Sequence, residues 1–404
     1  MACQNIANGI SKVIVYQRED GCWGELPTVP VGQAVRRVTG NFSLSKESYA
    51  SEELRVDHQM VDFRHGVRSV EGSINGELSP GTYSDFISAA LARDFTAVTG
   101  ETGLTVDISN AGAPIYTITR SAGDFTASNL KVGMVVRLTG ANAANNDKNL
   151  LIVAMTATVL SVIVLNGGTL VNDLAATPVS ITAPGKATYI PSTGHTDVSY
   201  TVEEWYNDIQ QSEVTTGNKV NTAGISLPAT GLVTADFAFM GKDLVRAETT
   251  KFFTNPTAQG EDRVFASVSG ALIIDGVPVS LVTSLSININ KNLTADAVVG
   301  SNVKPTMEFG RILVDGEFSA MMSGKEFSDA FRDEKEISIV CALTTGTESD
   351  ADFLTITLPR VKINSDTKND GETAIVSTHS FQALKSDGAN GMIASTILIQ
   401  DSAV

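Results

Sequence analysis

Short segments in which apolar and polar residues alternate recur along most of this 404-residue chain. Clear examples are residues 38–46, 282–291 and 374–384. Period-two alternation is typical of strands with one face in a core and the other in solvent. Helical periodicity is confined to a short stretch after Ser79 and to a similar stretch after Ser323. The pattern therefore predicts a mainly β protein with few helices.

The chain also contains an internal duplication. Residues 65–87 align without a gap with residues 309–331, at an offset of 244 residues. Chance similarity is a weak explanation, because two glycines and a Ser-Asp pair recur. Each repeat is therefore predicted to contain strands, one helix and further strands. The identical residues are Gly66, Val70, Gly72, Ser79, Ser84 and Asp85, which recur as Gly310, Val314, Gly316, Ser323, Ser328 and Asp329.

The first repeat is longer than the second because it contains an insertion. Residues 96–186 have no counterpart in the second repeat, and their five acidic and five basic residues make this span neutral. Short apolar runs separated by Asn- and Gly-rich turns predict a small all-β domain on a surface loop, where insertions are tolerated. The predicted parts are an N-terminal arm, a discontinuous first repeat, the inserted domain and a second repeat, at residues 1–32, 33–95 with 187–246, 96–186 and 262–404 respectively.

The sequence carries no catalytic or metal-binding pattern. Its three cysteines are scattered without a CxxC pair, and none of its four histidines lies in an HExxH motif. Nucleotide-binding loops and nucleophile elbows are also absent from the sequence. The longest apolar run, residues 154–165, is too short and too polar to span a bilayer. We therefore predict no enzyme activity, no metal or other cofactor, and no membrane partner.

The net charge of −16 narrows the range of partners further. Binding of DNA requires Lys and Arg side chains against the phosphates. A protein this acidic is not expected to bind nucleic acid, although it can guide DNA by repelling it.

The strand that precedes each predicted helix has two different faces. In residues 70–78 and again in 314–320, one face is apolar and the other is polar and acidic. Small residues recur on the apolar face, and Gly72 and Gly316 predict a close approach of the helix to the sheet. A polar face open to solvent is otherwise the default for antiparallel sheets. The residues of the polar faces are Glu71, Ser73, Asn75 and Glu77, and Asp315, Glu317 and Ser319.

Residues 46–91, KESYASEELRVDHQMVDFRHGVRSVEGSINGELSPGTYSDFISAAL, resemble the signature of siphophage tail tube proteins, which belong to long-tailed bacteriophages. With LPTVPVGQAVRRVTGNFSL at residues 26–44 and the second repeat, the resemblance covers most of the chain outside the insertion. It implies two tandem tail-tube β-sandwich or barrel domains, each with one flanking helix. In this family, inner strands of neighbouring subunits join around a DNA channel. Subunits with a duplicated domain form trimers with pseudo-six-fold symmetry.

The resemblance implies a structural virion protein whose homotrimeric rings stack into a tail tube. Viral DNA would pass through this tube into the host without specific binding. Expected partners are further copies of the chain, the tape-measure protein, the tail terminator and tail-tip proteins, with assembly in the host cytoplasm. The family favours an unsheathed, flexible tail. The alternative is a tail-tip or adhesin-type protein that binds the host surface, although only 6% of the residues are the aromatics that such proteins use for sugar stacking.

Three groups of residues receive predicted roles in such a ring. The polar faces of the repeated strand are expected to line the channel, because the helix covers the apolar face. The N-terminal arm and the loop at residues 46–64 are expected to dock onto the neighbouring ring, since long loops in compact proteins are usually functional. The inserted domain is expected to project outward and to be dispensable for tube assembly. The docking residues of the loop are Lys46, Glu53, Arg55, Asp57 and Arg64.

Overall fold

The computed structural model describes residues 6–370, 372 and 374–404. Within these ranges the chain is mainly β, with two short α-helices, which confirms the predicted fold class. The first repeat begins with strands β1 (Lys12–Arg18), β2 (Gln33–Ala34), β3 (Thr39–Ala50) and β4 (Phe63–Glu77), followed by helix α1 (Ser84–Leu91) and strand β5 (Thr96–Ala97). It resumes after the insertion with β12 (Lys186–Tyr189), β13 (Tyr200–Tyr206), β14 (Gln211–Leu227), β15 (Thr234–Gly241) and β16 (Asp243–Glu248).

The insertion and the second repeat supply the remaining elements. The insertion contains β6 (Glu101–Ser109), β7 (Ile115–Arg120), β8 (Val135–Thr139), β9 (Leu150–Met155), β10 (Val159–Val164) and β11 (Asp173–Thr182). The second repeat contains β17 (Gly270–Ile274), β18 (Val277–Pro278), β19 (Val282–Asn290), β20 (Leu293–Thr294), β21 (Glu308–Phe309), β22 (Leu313–Met321), α2 (Glu326–Arg332), β23 (Ile337–Thr344), β24 (Phe353–Ile363), β25 (Thr367–Lys368), β26 (Val376–Ala383) and β27 (Leu398–Asp401). Short 3₁₀ turns lie at Gly9–Ser11, Leu165–Gly167, Ser267–Ser269 and Ala389–Gly391.

The two repeats share the same antiparallel strand pairings. One sheet has the order β3–β4–β15–β14 in the first repeat and β19–β22–β26–β24 in the second. A second sheet has the order β1–β13–β14–β16 in the first repeat and β17–β23–β24–β27 in the second. The long strands β14 and β24 contribute to both sheets of their repeats. The structure therefore shows the duplication as two copies of one topology.

The first sheets of the two repeats form one continuous sheet. The end of β14 pairs with β19 from Thr222 opposite Asn290 to Leu227 opposite Leu285. The resulting order is β3–β4–β15–β14–β19–β22–β26–β24, and one hydrophobic core runs beneath both halves. We call this eight-stranded surface the joined sheet.

Helix α1 closes the core of the first repeat. Its Phe86 ring lies 5.2 to 5.5 Å from the rings of Tyr200, Phe237 and Phe239. The helix ends at Ala92, whose left-handed backbone returns its N–H to the last carbonyls. The apolar face predicted for this helix is buried against the sheets.

The inserted strands form a closed six-stranded barrel with its own core. The outer side of this barrel packs on the second repeat, although the chain enters it from the first. Val135, Leu151 and Val153 of the barrel share an apolar cluster with Ile273 and Phe353. This contact makes the barrel part of the subunit's packing, which argues against a dispensable module.

Part of the predicted N-terminal arm belongs to the first repeat. β1 pairs along its whole length with β13, from Lys12 opposite Tyr206 to Arg18 opposite Tyr200. Its consecutive Ile14, Val15 and Tyr16 side chains are all buried, so both faces of this strand are covered. The arm's first five residues, including Cys3, lie outside the described residues, as do Gly371 and Thr373.

Candidate functional site

The outer face of the joined sheet is polar along both repeated strands. In β4, Val70 and Ile74 are buried, while the alternating polar side chains face solvent. The same alternation recurs in β22. The structure thus places all seven predicted polar residues, Glu71, Ser73, Asn75, Glu77, Asp315, Glu317 and Ser319, on the solvent face of one sheet.

The strand register aligns the two repeats across this face. Asn75 lies opposite Asp236 of β15, and Asp236 lies opposite Gly224 of β14. Gly224 lies opposite Asn288, which in turn lies opposite Asp315. One row of residues therefore runs from the first repeated strand to the second. Lys362 of β24 ends the row, opposite Gln382.

The polar face is acidic and rich in small neutral side chains. Sequence reasoning missed Asp236, which accepts a short hydrogen bond from the Asn75 amide. Its signal was present in the alternation of β15, but only the register shows that β15 lies beside β4. Asn288 donates to Asp315 at 3.4 Å, and the Ser319 and Thr378 hydroxyls lie 2.9 Å apart. A surface with five carboxylates and one lysine is suited to repelling a polyanion. The charged residues are Glu71, Glu77, Asp236, Asp315, Glu317 and Lys362.

The two repeated glycines make room for aromatic rings rather than for a helix. A Cβ at Gly72 would lie 2.2 Å from the Phe42 ring. A Cβ at Gly316 would lie 2.5 Å from the Phe381 ring and 2.2 Å from the Ser286 carbonyl oxygen. The predicted close approach of a helix at these positions is therefore corrected: the glycines let neighbouring strands place large rings over the sheet.

The hairpin between β3 and β4 extends beyond the joined sheet. β15 covers β4 only along residues 70–77. Arg68 then forms a single bridge with Val303, and residues 46–67 pair only within the hairpin. Its tip exposes Leu54 and Val56 fully and Met60 largely. Of the predicted docking residues, Lys46 and Arg64 lie on the hairpin strands, while Glu53, Arg55 and Asp57 lie in the connection. Arg55 forms an exposed ion pair with Asp57 at 3.2 Å, so it is held by its own loop.

The joined sheet has two ends with different partners. At one end, β3 pairs with β4 and has no second strand beside it in the described chain. At the other end, β24 and its short continuation β25 pair with β26. On their other sides, neither β3 nor β25 pairs with a further strand of the described chain.

The described residues contain no cluster of His, Cys, Asp or Glu that could hold a metal ion. Neither of the two helices in the described ranges is long and apolar enough to cross a membrane. No curated protein matches the sequence. A family model described as "Phage tail tube protein" matches residues 9–383.

Proposed function

Because this chain belongs to the phage tail tube protein family, we propose that three copies close into a ring and that these rings stack into the tube. The chain is a structural subunit of a phage tail tube, located in the virion tail and assembled with other tail components. The finer proposal concerns how the ring closes and which surface faces the channel.

The observation that carries the proposal is the joint between β14 and β19. It shows how the end of one repeat pairs with the start of the next. The second repeat ends in a similar way, because Thr367 lies opposite Thr378 as Gly224 lies opposite Asp236. A free β3 in another copy would then meet β25 as β19 meets β14. Three copies of eight strands close a barrel of 24, and closed symmetric rings are the usual outcome for homo-oligomers.

The repeat fixes the expected register of this joint between chains. Gly224 lies opposite Asn288 within the chain. The first-repeat counterpart of Asn288 is Ser43, because Ser43 lies opposite Glu71 as Asn288 lies opposite Asp315. Ser43 of one copy should therefore lie opposite Thr367 of the next.

We propose that the polar face of the joined sheet lines the channel. The apolar face is covered by the second sheets and the helices, so the polar face is the one left to surround the axis. DNA carries one charge per ~1.7 Å of its length, and repulsion is only partly screened over a Debye length of ~8 Å. An acidic wall of short side chains would keep the duplex centred and unbound. This role needs no catalytic group.

The β3–β4 hairpin supports stacking of rings. The hairpin projects along the strand direction beyond the point where β15 stops. It would therefore lie at one rim of the proposed ring. Its exposed Leu54, Val56 and Met60 are apolar side chains that contact with a neighbouring ring would bury. The tape-measure, terminator and tail-tip proteins would meet the tube's channel and its ends. We further propose a siphovirus tail that is flexible and unsheathed.

A pair of cysteines tests the ring. Residues opposite each other in antiparallel strands have Cα atoms about 4.5 to 5.5 Å apart, within disulfide range. In a background with Cys3→Ser and Cys22→Ser, Ser43→Cys with Thr367→Cys should give interchain disulfides in tubes, with trimers as the closed product. Thr39→Cys with Thr367→Cys is the control, because Thr39 lies about 13 Å further along β3. Equal cross-linking of both pairs, or closed rings of six chains, would contradict the joint.

A charge reversal tests the channel wall separately. Glu71→Lys with Asp315→Lys should leave tubes intact but slow DNA ejection, because the wall then attracts phosphates. Glu261→Lys with Glu348→Lys is the matched control, since both acids are exposed and lie away from the polar face. Equal ejection rates in the two double variants would show that the polar face does not line the channel.

A further inference from the structure

The free side of β3 is occupied by a buried ion pair instead of a strand. The Lys12 ammonium donates to the Gly40 carbonyl at 3.0 Å and lies 2.6 Å from the Glu204 carboxylate. Glu204 accepts a hydrogen bond from the Phe42 backbone N–H at 3.0 Å. Both side chains are largely removed from solvent, with 10% and 2% exposed. Two main-chain groups that an added strand would bond are therefore already satisfied.

The equivalent edge in the second repeat is satisfied by a strand. Gly40 and Phe42 lie opposite Ile74 and Gly72 of β4. Their counterparts are Leu285 and Ile287, which lie opposite Phe318 and Gly316 of β22. Those two residues pair on their other side with Leu227 and Ile225 of β14. The ion pair thus stands where the duplicated structure places a neighbouring strand.

The ion pair is absent from the second repeat, where that edge is filled. Lys12 lies opposite Tyr206 as Gly270 lies opposite Leu343. Glu204 lies opposite Glu213 of β14 as Cys341 lies opposite Ile356 of β24. The positions of the lysine and the glutamate are therefore held by a glycine and a cysteine. Of these two equivalent edges, only the one that the monomer leaves open carries this buried ion pair, despite the desolvation that burying charges costs.

We propose that Lys12 and Glu204 form an edge guard, which keeps β3 from adding a strand before a ring forms. This inference rests on the proposed ring, because the strand it holds off is β25 of another copy. Exposed edge strands template pairing with other chains, and inward-pointing charges are one way to prevent it. On ring closure the guard gives up its bonds to Gly40 and Phe42, while the two side chains can remain paired with each other. A cleft of about 790 Å³ bordered by Lys12, Ile14 and Gly40 gives the arriving strand room.

The guard predicts a higher concentration threshold for tube formation in the wild type than in a variant without it. Lys12→Met with Glu204→Leu removes both charges and both bonds to the edge while keeping side-chain bulk. Its threshold, measured by light scattering and electron microscopy of purified protein, should fall at least roughly tenfold, because charge-assisted bonds no longer compete with the arriving strand. The matched control is Arg120→Met with Glu101→Leu, which removes a largely buried ion pair of the barrel and should leave the threshold unchanged.

Two further measurements keep failure of the guard distinct from failure of the ring. Circular dichroism and gel filtration first establish whether Lys12→Met with Glu204→Leu folds. If it does not, Lys12→Met with Glu204→Gln is used instead. Its concentration threshold should also fall, by a smaller factor. The Ser43–Thr367 cysteine pair then reports the joint. Cross-linking in tubes with an unchanged or raised threshold overturns the guard alone. Tubes without that cross-link overturn the joint and, with it, the guard. Absence of tubes from every variant at all concentrations also overturns the guard, because its removal should promote assembly.

Discussion

The two helices occupy equivalent places in the two repeats, yet one is buried and the other is not. Ile87 of α1 is 2% exposed, whereas its counterpart Phe331 of α2 is 41% exposed. α1 packs against β14 and β12 and also against β19 of the second repeat. α2 packs mainly against β24 of its own repeat. The comparison shows that burial at a repeated position depends on the neighbour that covers it.

The same comparison distinguishes the surfaces that the subunit buries by itself from those that only assembly would bury. In the proposed ring, β3 of another copy would cover α2 as β19 covers α1. Phe331 and the free side of β3 would then be buried together. The first repeat is the more complete of the two on the helix side, and the second is the more complete at its strand edge.

The second sheets differ in their cover as well. In the second repeat the barrel lies over β17 and β23. In the first repeat the chain itself closes this region: Glu203 accepts backbone hydrogen bonds from Phe252 and Phe253, at 2.6 and 2.9 Å. The inserted barrel thus covers the second sheet of the second repeat, and a connecting segment covers that of the first repeat.

Removal of the barrel should have the largest effect on this arrangement. Deletion of residues 101–182 with a Gly-Ser bridge is geometrically simple, because Ile181 lies opposite Glu101. It would expose Ile273, Val340 and Phe353, which are now at most 2% exposed. We expect aggregation or loss of most soluble protein, measured as the soluble fraction after expression.

A second deletion variant distinguishes exposed apolar surface from other causes. Ile273→Ser, Val340→Thr and Phe353→Thr in the shortened chain make the uncovered sheet polar, and they should restore part of the solubility. A soluble deletion variant without these changes would show that the barrel does not shield the second repeat.

The paired helix positions give the next largest effect. Ile87→Ala should lower the free energy of unfolding by about 2 to 5 kcal/mol, the range for truncating a buried aliphatic side chain. Phe331→Ala should lower it by only about 1 kcal/mol in the monomer, because 41% of Phe331 is already exposed there. Urea unfolding of monomers measures both. Comparable losses would mean that α2 is as firmly packed as α1.

A third pair contrasts the strands that border β14 and β24. Gln400 of β27 is fully buried and bonds both main-chain groups of Val135, at 2.8 and 3.1 Å. Its counterpart Glu248 of β16 is exposed. Gln400→Ala should cost about 2 to 3 kcal/mol, because buried backbone groups lose their partner, and Glu248→Ala less than about 0.5 kcal/mol. Urea midpoints for the two variants provide the test, and similar midpoints would contradict the anchoring role of Gln400.

Much of this architecture could be predicted from local sequence. The alternation in residues 70–78 and the offset of 244 residues indicated the strands, the helix positions and the duplication. The role of Gly72 could not be read in this way, because its space is filled by Phe42, which lies 30 residues earlier and meets it only through the register. Nor could the pairing of Lys12 with Glu204, which joins residues 192 positions apart.

The barrel shows the same limit at a larger scale. Its neutral composition and lack of a counterpart predicted an inserted β domain. Its packing on the second repeat depends on apolar residues such as Val153 and Phe353, which look like ordinary strand residues in sequence. Patterns of period two identify a buried face, but they do not identify what buries it.

The smallest effect is expected at a core position where one repeat has a histidine and the other a phenylalanine. His379 of β26 is fully buried beside Phe318, and the matching position in β15 is Phe237, since Phe318 lies opposite His379 as Ile74 lies opposite Phe237. Burial lowers the pKa of His379 below its usual value, although the carboxylate of Asp366 at 3.6 Å acts in the opposite direction. His379 also accepts or donates one hydrogen bond with Ser377 at 3.0 Å.

The sign of the pH dependence follows from this lowered pKa. Between the folded and unfolded pKa values the unfolded chain binds more protons at this histidine, so the stability of the folded state falls as the pH drops below about 6.5. His379→Phe should flatten the change in urea midpoint between pH 7 and pH 5.5, while Asp366 keeps Lys368 as its partner at 2.7 Å. His58→Asn at an exposed position is the control and should retain the wild-type slope. Identical slopes for wild type and His379→Phe would mean that Asp366 offsets the burial of the ring, and that the histidine takes up its proton without cost to the fold.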